Sequence, residues 1–432
     1  MAVLFAEKMR RVALAGAGER RLVAPARKDG RHKSGSLDVE VAGPERYLKF
    51  ESEWRDLVSR AWTPNVFMEP AVVAAAESEA ASTHTLLVWA TESDGRRRLV
   101  GVWAFAVAPA APWFPMRLLR SPLNRHSHLG TPVVDRTLAR EVISAMVEEF
   151  QRNANLPSVI DASDFEDGLL LELLLGSVRT RQLPWLLLDT RRRPRLDCEF
   201  DPASYLSKQL SRSRLKRIAR LRRRLEELGR LEYEIVEEPD AVCAAFEKFL
   251  ALESAGWKSS RIRRGHAFLL RPQWARVARD MIAGLAKERL VSIHILKLSG
   301  REIVMDVLLR SGAEAYTWRT AFDETLRSYG PGLVMLQDYT KFLLGNPTLA
   351  VVDSCNRRDT GIMAEFWAER RAVKDVLLCT GRNPFVFSIV AVVARVRYLI
   401  RGKLRSVRDK VLLTVLGVQG VFSISTHVIL AA

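Results

Sequence analysis

The chain has 432 residues, of which 48% are hydrophobic and 27% are charged, which excludes an intrinsically disordered protein and leaves room for two domains. Its formal net charge of +17 favours partners rich in negative charge, such as phosphorylated molecules, nucleic acid or an anionic membrane surface. The four cysteines lie far apart and form no C-x-x-C pair, so they predict neither a zinc site nor a disulfide scaffold and favour a reducing cytoplasm.

The first half of the chain has the pattern of an α/β domain that follows a disordered arm. Residues 1–36 are basic, rich in Gly and Ala and without periodicity, as is typical of disorder. We predict a first domain over residues 37–195. Its elements are predicted, in chain order, as helices at 45–59 and 70–81, strands at 85–90, 99–107 and 116–119, a helix at 136–151 and a strand at 158–161.

The second half repeats this order of elements. Its elements are predicted as helices at 201–228 and 239–254, strands at 290–298, 302–309 and 315–321, a helix at 333–344 and a strand at 349–353. We therefore predict an α/β (α+β) fold of two tandem mixed-sheet domains flanked by helices, the second over residues 196–380. No identity is visible between the halves, so the predicted duplication depends on the order of elements alone.

The tail, residues 381–432, is basic and then apolar. Residues 395–410 are basic and amphipathic, and residues 411–432 carry no charge. Twenty-two uncharged residues are enough to span a bilayer, and a preceding basic segment fits the positive-inside rule. We expect peripheral or C-terminal membrane association, with docking of the tail on the core as the alternative.

The stretch Arg327-Ser-Tyr-Gly-Pro-Gly332 lies between a predicted strand and a predicted helix. Arg-x-x-Gly-x-Gly at such a turn offers an anion several backbone N–H groups and the positive end of a helix dipole. Glycine also lets the backbone approach a ligand closely. The turn therefore predicts a pyrophosphate site, and so a nucleotide-containing cofactor.

Four stretches together resemble the GNAT acyltransferase superfamily and, more narrowly, the tandem-GNAT proteins grouped with the cellulose-biosynthesis protein CelD. They cover about residues 40 to 380. In chain order they are Asn65-Val-Phe-Met-Glu-Pro70, the Arg-rich stretch 206–229, Leu252-Glu-Ser-Ala-Gly-Trp-Lys258, and Tyr316-Thr-Trp-Arg-Thr-Ala-Phe-Asp323 followed by Ser328-Tyr-Gly-Pro-Gly332.

The resemblance implies a site for acetyl-CoA, or another acyl-CoA, in the second half. In GNAT folds pantetheine adds to the free edge of the fourth strand, and the next loop holds the CoA pyrophosphate. Carried over, this makes the strand 315–321 the pantetheine edge, with Trp318, Arg319, Thr320 and Ala321 as its cofactor-binding residues. It assigns the pyrophosphate cradle to Arg327, Ser328, Gly330, Pro331 and Gly332. The first-half counterpart, residues 124–132, has one glycine, so we expect one cofactor site.

An acyl transfer needs a group that removes the acceptor's proton, and four residues are candidates. Glu253 is either that base or a solvated carboxylate at a helix end. Asp306 interrupts an apolar strand and must face solvent or a cleft, because an unpaired buried carboxylate is costly. Asp323 is a base or a turn cap. Tyr329 either protonates the leaving thiolate or has only a packing role.

Two further pairs of residues each have a functional and a structural interpretation. Trp257 and Lys258 suggest a platform that binds substrate, or else a packed Trp with an exposed Lys. His126 and His128 have no nearby cluster of carboxylates or cysteines, so we expect an ordinary loop pair and no metal.

The Arg-rich stretch is predicted to be one helix with an apolar stripe and a strongly basic exposed side. No aromatic residues lie among the arginines, as single-strand binders need, so nucleic acid is not the favoured partner. An acidic or phosphorylated acceptor, the CoA itself, or a solvated surface are the alternatives.

We predict an enzyme that transfers an acyl group, with acetyl expected, from CoA to an amine or hydroxyl of a small-molecule or saccharide acceptor. Direct transfer is favoured because no Cys or Ser nucleophile stands beside a base. Cys355 is the best candidate for a covalent step instead. The setting is predicted to be cytoplasmic, in envelope or exopolysaccharide metabolism. Two alternatives remain: a FemAB-type aminoacyl transferase using charged tRNA, and a non-catalytic polysaccharide-assembly scaffold with a vestigial CoA site.

Overall fold

A computed structural model describes residues 37–77, 82–111, 113–256 and 267–417. The predicted N-terminal arm and the predicted substrate platform, Trp257 and Lys258, lie outside these residues. The described residues of both halves belong to one compact unit.

The first half contains seven named strands and five α-helices within the described residues. The strands are β1 (Leu37–Ala42), β2 (Thr83–Thr91), β3 (Arg97–Ala111), β4 (Phe114–Ser121), β5 (Val133–Val134), β6 (Val159–Glu166) and β7 (Trp185–Asp197). The helices are α1 (Pro44–Tyr47), α2 (Glu51–Arg60), α3 (Pro70–Ala76), α4 (Ala139–Arg152) and α5 (Leu169–Thr180).

The second half repeats the order and adds helices at both ends. The strands are β8 (Leu231–Val236), β9 (Val291–Leu298), β10 (Arg301–Ser311), β11 (Glu314–Phe322), β12 (Val351–Asp353) and β13 (Glu369–Cys379). The helices are α6 (Tyr205–Gln209), α7 (Arg212–Glu226), α8 (Pro239–Ala255), α9 (Pro272–Lys287), α10 (Pro331–Gly345), α11 (Ile362–Phe366) and α12 (Pro384–Gly417), and a 3₁₀ helix (Glu324–Tyr329) precedes α10.

All thirteen strands belong to one mixed sheet, in the order β1-β2-β3-β4-β6-β13-β7-β12-β11-β10-β9-β8, with β5 beside β3. Each half is an antiparallel run that ends in one parallel pair, β4 with β6 and β11 with β12. The last strand of each half then crosses over: β7 pairs with β12 of the second half, and β13 pairs with β6 of the first. The predicted tandem fold is confirmed, and the exchanged strands make the two copies continuous.

The core of the second half lies on both faces of the sheet. Helices α8 and α9 cover one face with large side chains that include Phe249 and Trp274. Helices α7 and α10 cover the other with smaller clusters that include Leu225 and Val334. A polar group buried between these layers is costly unless another polar group pairs with it.

The predicted helix over 201–228 is wrong in its extent, because two helices occupy this stretch. The carboxylate of Asp201 accepts hydrogen bonds from the amides of Ala203 (3.3 Å) and Ser204 (2.9 Å), which forms a turn before α6. Ser211 is extended and its hydroxyl accepts the Arg214 amide at 3.2 Å, which begins α7. A serine that caps the backbone in this way competes with continued helix.

Helix α12 joins the apolar and basic parts of the predicted tail into one element of 34 residues. Its buried residues Phe387, Val390 and Ala391 pack on β13, so the first turns of the helix lie against the core. Within the described residues no helix is long and apolar enough to cross a membrane. Most of the uncharged stretch 411–432 lies beyond those residues.

Candidate functional site

The parallel strands β11 and β12 pair over a short stretch and then separate. Glu314, Ala315 and Tyr316 are in register with Val351–Asp353, whereas Thr317–Phe322 have no partner in β12. The outer part of β11 therefore presents its backbone to an open edge. In the first half, β4 is paired with β6 through its last residues and ends there. Of the two parallel pairs, β11–β12 is the one that leaves room for an added extended ligand.

A β-bulge lies at the point where the strands separate. Val307 of β10 faces Arg319 and Leu308 faces Thr317, so Trp318 is the extra residue of β11. A bulge leaves its backbone groups outside the regular ladder. The Trp318 ring is buried, and its Nε1–H donates to the carbonyl oxygen of His126 at 2.6 Å. The indole is thus held by a loop of the first half.

Arg319 and Glu253 form a buried charged pair beside this bulge. The Nη1 of Arg319 is 3.8 Å from Oε1 of Glu253, and its Nη2 is 2.9 Å from Nδ1 of His126. The Glu253 Oε2 accepts the backbone N–H of Phe268 at 3.0 Å, and the Phe268 ring lies 4.7 Å from the guanidinium. Burial lowers the pKa of Arg319, and the charge of Glu253 opposes that shift. The predicted alternative of a solvated helix-end carboxylate is wrong for Glu253, which is 2% exposed.

Asp306 lies on the opposite face of the sheet and is also buried, so the prediction that it faces solvent or a cleft is wrong. Its Oδ2 accepts the hydroxyl of Thr320, which faces it across the β10–β11 ladder. Burial, and then the charge of Asp306, raises the pKa of Tyr339 from α10. His294 lies in the adjoining strand and contacts Tyr339, with ring centroids 4.7 Å apart. Polar neighbours therefore accommodate the carboxylate, and Glu253 and Asp306 cannot act on one acceptor together.

The loop after β11 is built by side-chain caps and two glycines. Asp323 Oδ1 accepts the Thr325 amide at 2.9 Å, and its Oδ2 lies 2.8 Å from Nη2 of Arg301, so Asp323 caps the 3₁₀ helix. Arg327 and Ser328 are exposed on the turn. The half-buried ring of Tyr329 packs against Arg224, whose guanidinium carbon is 4.7 Å from the ring centroid.

The two glycines of the loop differ in what surrounds them. Gly330 has φ +61°, and a Cβ there would lie 2.9 Å from Cδ1 of Leu221, so Gly330 is required by the turn and by its contact with α7. Pro331 is the first residue of α10. A Cβ on Gly332 would meet no atom within 4 Å, so space is open above its backbone. The Gly332 N–H lies in the first turn of the helix and has no intrahelical acceptor. Such free N–H groups are typical of an anion site.

The basic helix α7 packs on this loop through Leu221. Arg217 and Arg224 flank Leu221 at helical spacing, and Arg222 reaches Asp338 of α10 at 2.6 Å. Burial, together with the nearby Arg214 and Arg220, lowers the pKa of Arg217. Within the part of the chain that the structure describes, no carboxylate is within ion-pair distance of Arg217, Arg220 or Arg224. The guanidinium of Arg224 lies against the Gly loop, over the ring of Tyr329.

His126 and His128, the predicted loop pair, contact the second half of the chain, with His126 buried and His128 half-buried. Asn65 holds their loop in place, because its Nδ2 donates to the carbonyl oxygens of Leu129 (3.1 Å) and Thr131 (2.7 Å). Burial, and then the charge of Arg319, lowers the pKa of His128 to about 3, so that ring is neutral at neutral pH. No group of three or more metal-ligating side chains occurs among the described residues. Only the duplication of the halves, which makes this loop the counterpart of the Gly turn, could have indicated its role.

Cys355 follows β12 and is buried beside a charged network. Asp353 accepts hydrogen bonds from Arg193 (2.6 Å) and Arg371 (2.9 Å), and its other oxygen accepts the Cys355 amide at 2.9 Å. Burial, and then the charge of Asp353, raises the pKa of the Cys355 thiol well above its usual range. A thiol that stays protonated is a poor nucleophile, which argues against a covalent step at this residue.

Comparison with known proteins identifies the class of this domain. Residues 212–354 match the model of the acetyltransferase (GNAT) domain family. The chain carries a GNAT-type acetyltransferase domain. The match begins with α7 and ends directly after β12, so it contains the basic helix, the open edge and the Gly loop. The protein is therefore an acyltransferase. No curated protein matches the sequence.

Solved structures resemble both halves together. FemX is 9% identical with a TM-score of 0.56, over 82% of this chain and 100% of FemX. A conserved protein of unknown function from Bacteroides thetaiotaomicron VPI-5482 is 9% identical with a TM-score of 0.50, over 77% and 97% of the two chains. A tandem GNAT protein from the clavulanic acid biosynthesis pathway is 14% identical with a TM-score of 0.41, over 80% and 99%. The first two likenesses extend the fold assignment from the matched domain to the whole two-half body.

Proposed function

We propose that the second half binds an acyl-CoA, with acetyl-CoA as the expected co-substrate, and transfers the acyl group directly to an amine or hydroxyl. The observation that carries this proposal is the open edge of β11, which leads into a loop whose Gly332 faces open space. A pantetheine arm carries amides that can hydrogen-bond to the edge at 318–321, and the pyrophosphate suits the N–H groups of the loop and the helix. Arg327 and Ser328 are exposed where they can contact phosphate oxygens.

The residues at the bulge support direct transfer. The acceptor atom attacks the thioester carbonyl, the carbon–sulfur bond breaks, and CoA leaves as a thiolate that takes up a proton. Backbone N–H groups freed by the bulge at Trp318 suit the developing oxyanion. We assign the base to Glu253 because it lies on the same face as Arg319, within reach of that bulge. Asp323 is assigned to capping and Asp306 to the sheet interior, and Tyr329 remains the candidate acid.

The acceptor is proposed to carry negative charge. Arg217, Arg220 and Arg224 lie on α7, which packs on the Gly loop, and no carboxylate in the described part of the chain is within ion-pair distance of them. Together with the likeness to CelD-type proteins, this favours an acidic or phosphorylated saccharide acceptor of envelope or exopolysaccharide metabolism in the cytoplasm. The same cations also suit the phosphates of CoA.

Ligand binding to the full chain tests the proposal. We expect acetyl-CoA to raise the melting temperature and to bind by calorimetry with one site per chain, and acceptor screens to release free CoA thiol. Absence of acetyl-CoA binding would overturn the proposal. Tight, salt-sensitive binding of charged tRNA without acetyl-CoA binding would instead favour a FemAB-type aminoacyl transferase, and binding of neither would favour a non-catalytic scaffold.

A further inference from the structure

Helix α12 carries two apolar stripes, and only one of them packs on the protein. Phe387, Val390 and Ala391 are buried against β13. On its other side, five large apolar side chains are exposed. They are Phe385 (73%), Val392 (43%), Val396 (46%), Leu399 (66%) and Ile400 (52%).

The exposed side chains lie on one continuous face. At about 100° of rotation per residue, positions 385, 392, 396, 399 and 400 fall within a sector of roughly 100°, opposite the buried residues. We call these five residues the α12 stripe. Their contiguity distinguishes them from the single exposed hydrophobic residues that any protein surface carries.

The helix is held to the body near the end of this stripe. Arg397 Nη1 donates to the carbonyl oxygen of Ala110 at 3.0 Å, and the Tyr398 hydroxyl donates to Asp375. Ala110 lies near the turn between β3 and β4, where the Trp113 ring is 70% exposed. Tryptophan, with an apolar ring and a polar N–H, is enriched at membrane–water interfaces.

The positive charge of α12 indicates which kind of partner binds the stripe. Residues 395–410 contain seven Lys and Arg residues and one Asp. A second copy of this helix would bring two strongly cationic segments together and would be repelled, whereas an anionic lipid surface attracts them. An apolar stripe beside a basic segment is the pattern of helices that lie in the plane of a membrane interface.

We propose that the α12 stripe docks the protein on an anionic phospholipid bilayer, with the helix axis parallel to the surface. The stripe enters the headgroup region, and the basic segment binds lipid phosphates. Docking in this way is independent of acyl-CoA binding and leaves the Gly loop, on another part of the sheet, unchanged.

Sedimentation of the full chain with vesicles tests this proposal. We expect binding to vesicles of phosphatidylglycerol and phosphatidylcholine, at least about tenfold weaker binding to phosphatidylcholine alone, and loss of binding in 0.5 M salt. Val396→Glu and Leu399→Glu are each expected to weaken binding at least about tenfold. The matched control is Leu48→Glu, at an exposed leucine between α1 and α2, which should bind as the unsubstituted protein does.

Three outcomes would overturn the proposal. The first is no binding to the anionic vesicles. The second is unchanged binding by Leu399→Glu. The third is a dimer in solution that Leu399→Glu converts to a monomer, without vesicle binding, since the stripe would then join two copies. Circular dichroism of each variant checks that it is folded, as expected for substitutions at exposed positions.

Discussion

Replacing Gly332 by valine is expected to prevent cofactor binding while leaving the fold intact. A Cβ at this position meets no atom within 4 Å, and valine fits a helix better than glycine, so the free energy of unfolding should change by less than about 1 kcal/mol. The added side chain would occupy the space over the loop N–H groups. A hydrogen bond to a charged group contributes about 1.5–3 kcal/mol, so losing two of them should weaken acetyl-CoA binding by at least about 100-fold.

Gly330 provides the contrasting variant in the same loop. Its φ of +61° costs a non-glycine residue about 1–2 kcal/mol, and a Cβ would press on Leu221 at 2.9 Å. Gly330→Ala should therefore lower the free energy of unfolding. A substitution at Gly330 is therefore not expected to spare the fold, because this residue forms the turn and contacts α7.

Calorimetric titration with acetyl-CoA and urea unfolding distinguish the two glycines. Gly345→Val is the matched control, because Gly345 lies at the opposite end of α10 and its Cβ would also meet no atom within 4 Å. This control should bind acetyl-CoA normally. If Gly332→Val binds acetyl-CoA with unchanged affinity, the assignment of the cradle to this loop is refuted.

Three further variants or conditions test other parts of the site. Arg224→Ala should weaken acetyl-CoA or acceptor binding several-fold and reduce its salt dependence, measured by titration at two ionic strengths; an unchanged salt dependence would exclude Arg224 from the anion site. Glu253→Gln should lower kcat at least about 100-fold with normal acetyl-CoA affinity, whereas Asp306→Asn should mainly lower the free energy of unfolding. If acceptor assays showed the reverse pattern, Asp306 and not Glu253 would be the base. His294 has a pKa of about 3 when folded because burial disfavours its charged form, against about 6.5 when unfolded, so the unfolded state binds the proton first. Stability should therefore fall by about 2 kcal/mol from this residue between pH 7 and pH 5, and urea unfolding of His294→Gln should show a smaller loss.

Local patterns predicted most elements of the fold, because periodicity and turn residues act over short stretches. The hairpin of β9 and β10 and helix α10 were found from such patterns. The break before α7 was missed, although the five-residue step from Leu210 to Leu215 departs from helical spacing. Helix α9 was missed despite apolar residues at helical spacing after Pro272. The exchange of β7 and β13 has no local signal, because strand pairing between distant segments is set by tertiary packing.

Of the candidate site, the sequence could indicate the Gly loop but not the residues that surround it. Gly330 and Gly332 look equivalent in sequence, yet a positive φ and a contact with Leu221 separate their roles. The pairing of Glu253 with Arg319 joins residues 66 positions apart, and no motif links them. Asp306 looked costly in an apolar strand because its hydrogen-bond partner, Thr320, lies in the next strand.

The first half has no Gly loop. Its corresponding loop instead lines the candidate site of the second half. Its 124–132 loop holds the Trp318 indole through the His126 carbonyl and contacts Arg319 through the His126 ring. Arg193, on the exchanged strand β7, donates to the His128 carbonyl oxygen at 2.7 Å and also binds Asp353. One half of the duplicated fold therefore has the open strand edge, and the other half supplies the loop that supports it. For this reason we do not expect the second half to function without the first.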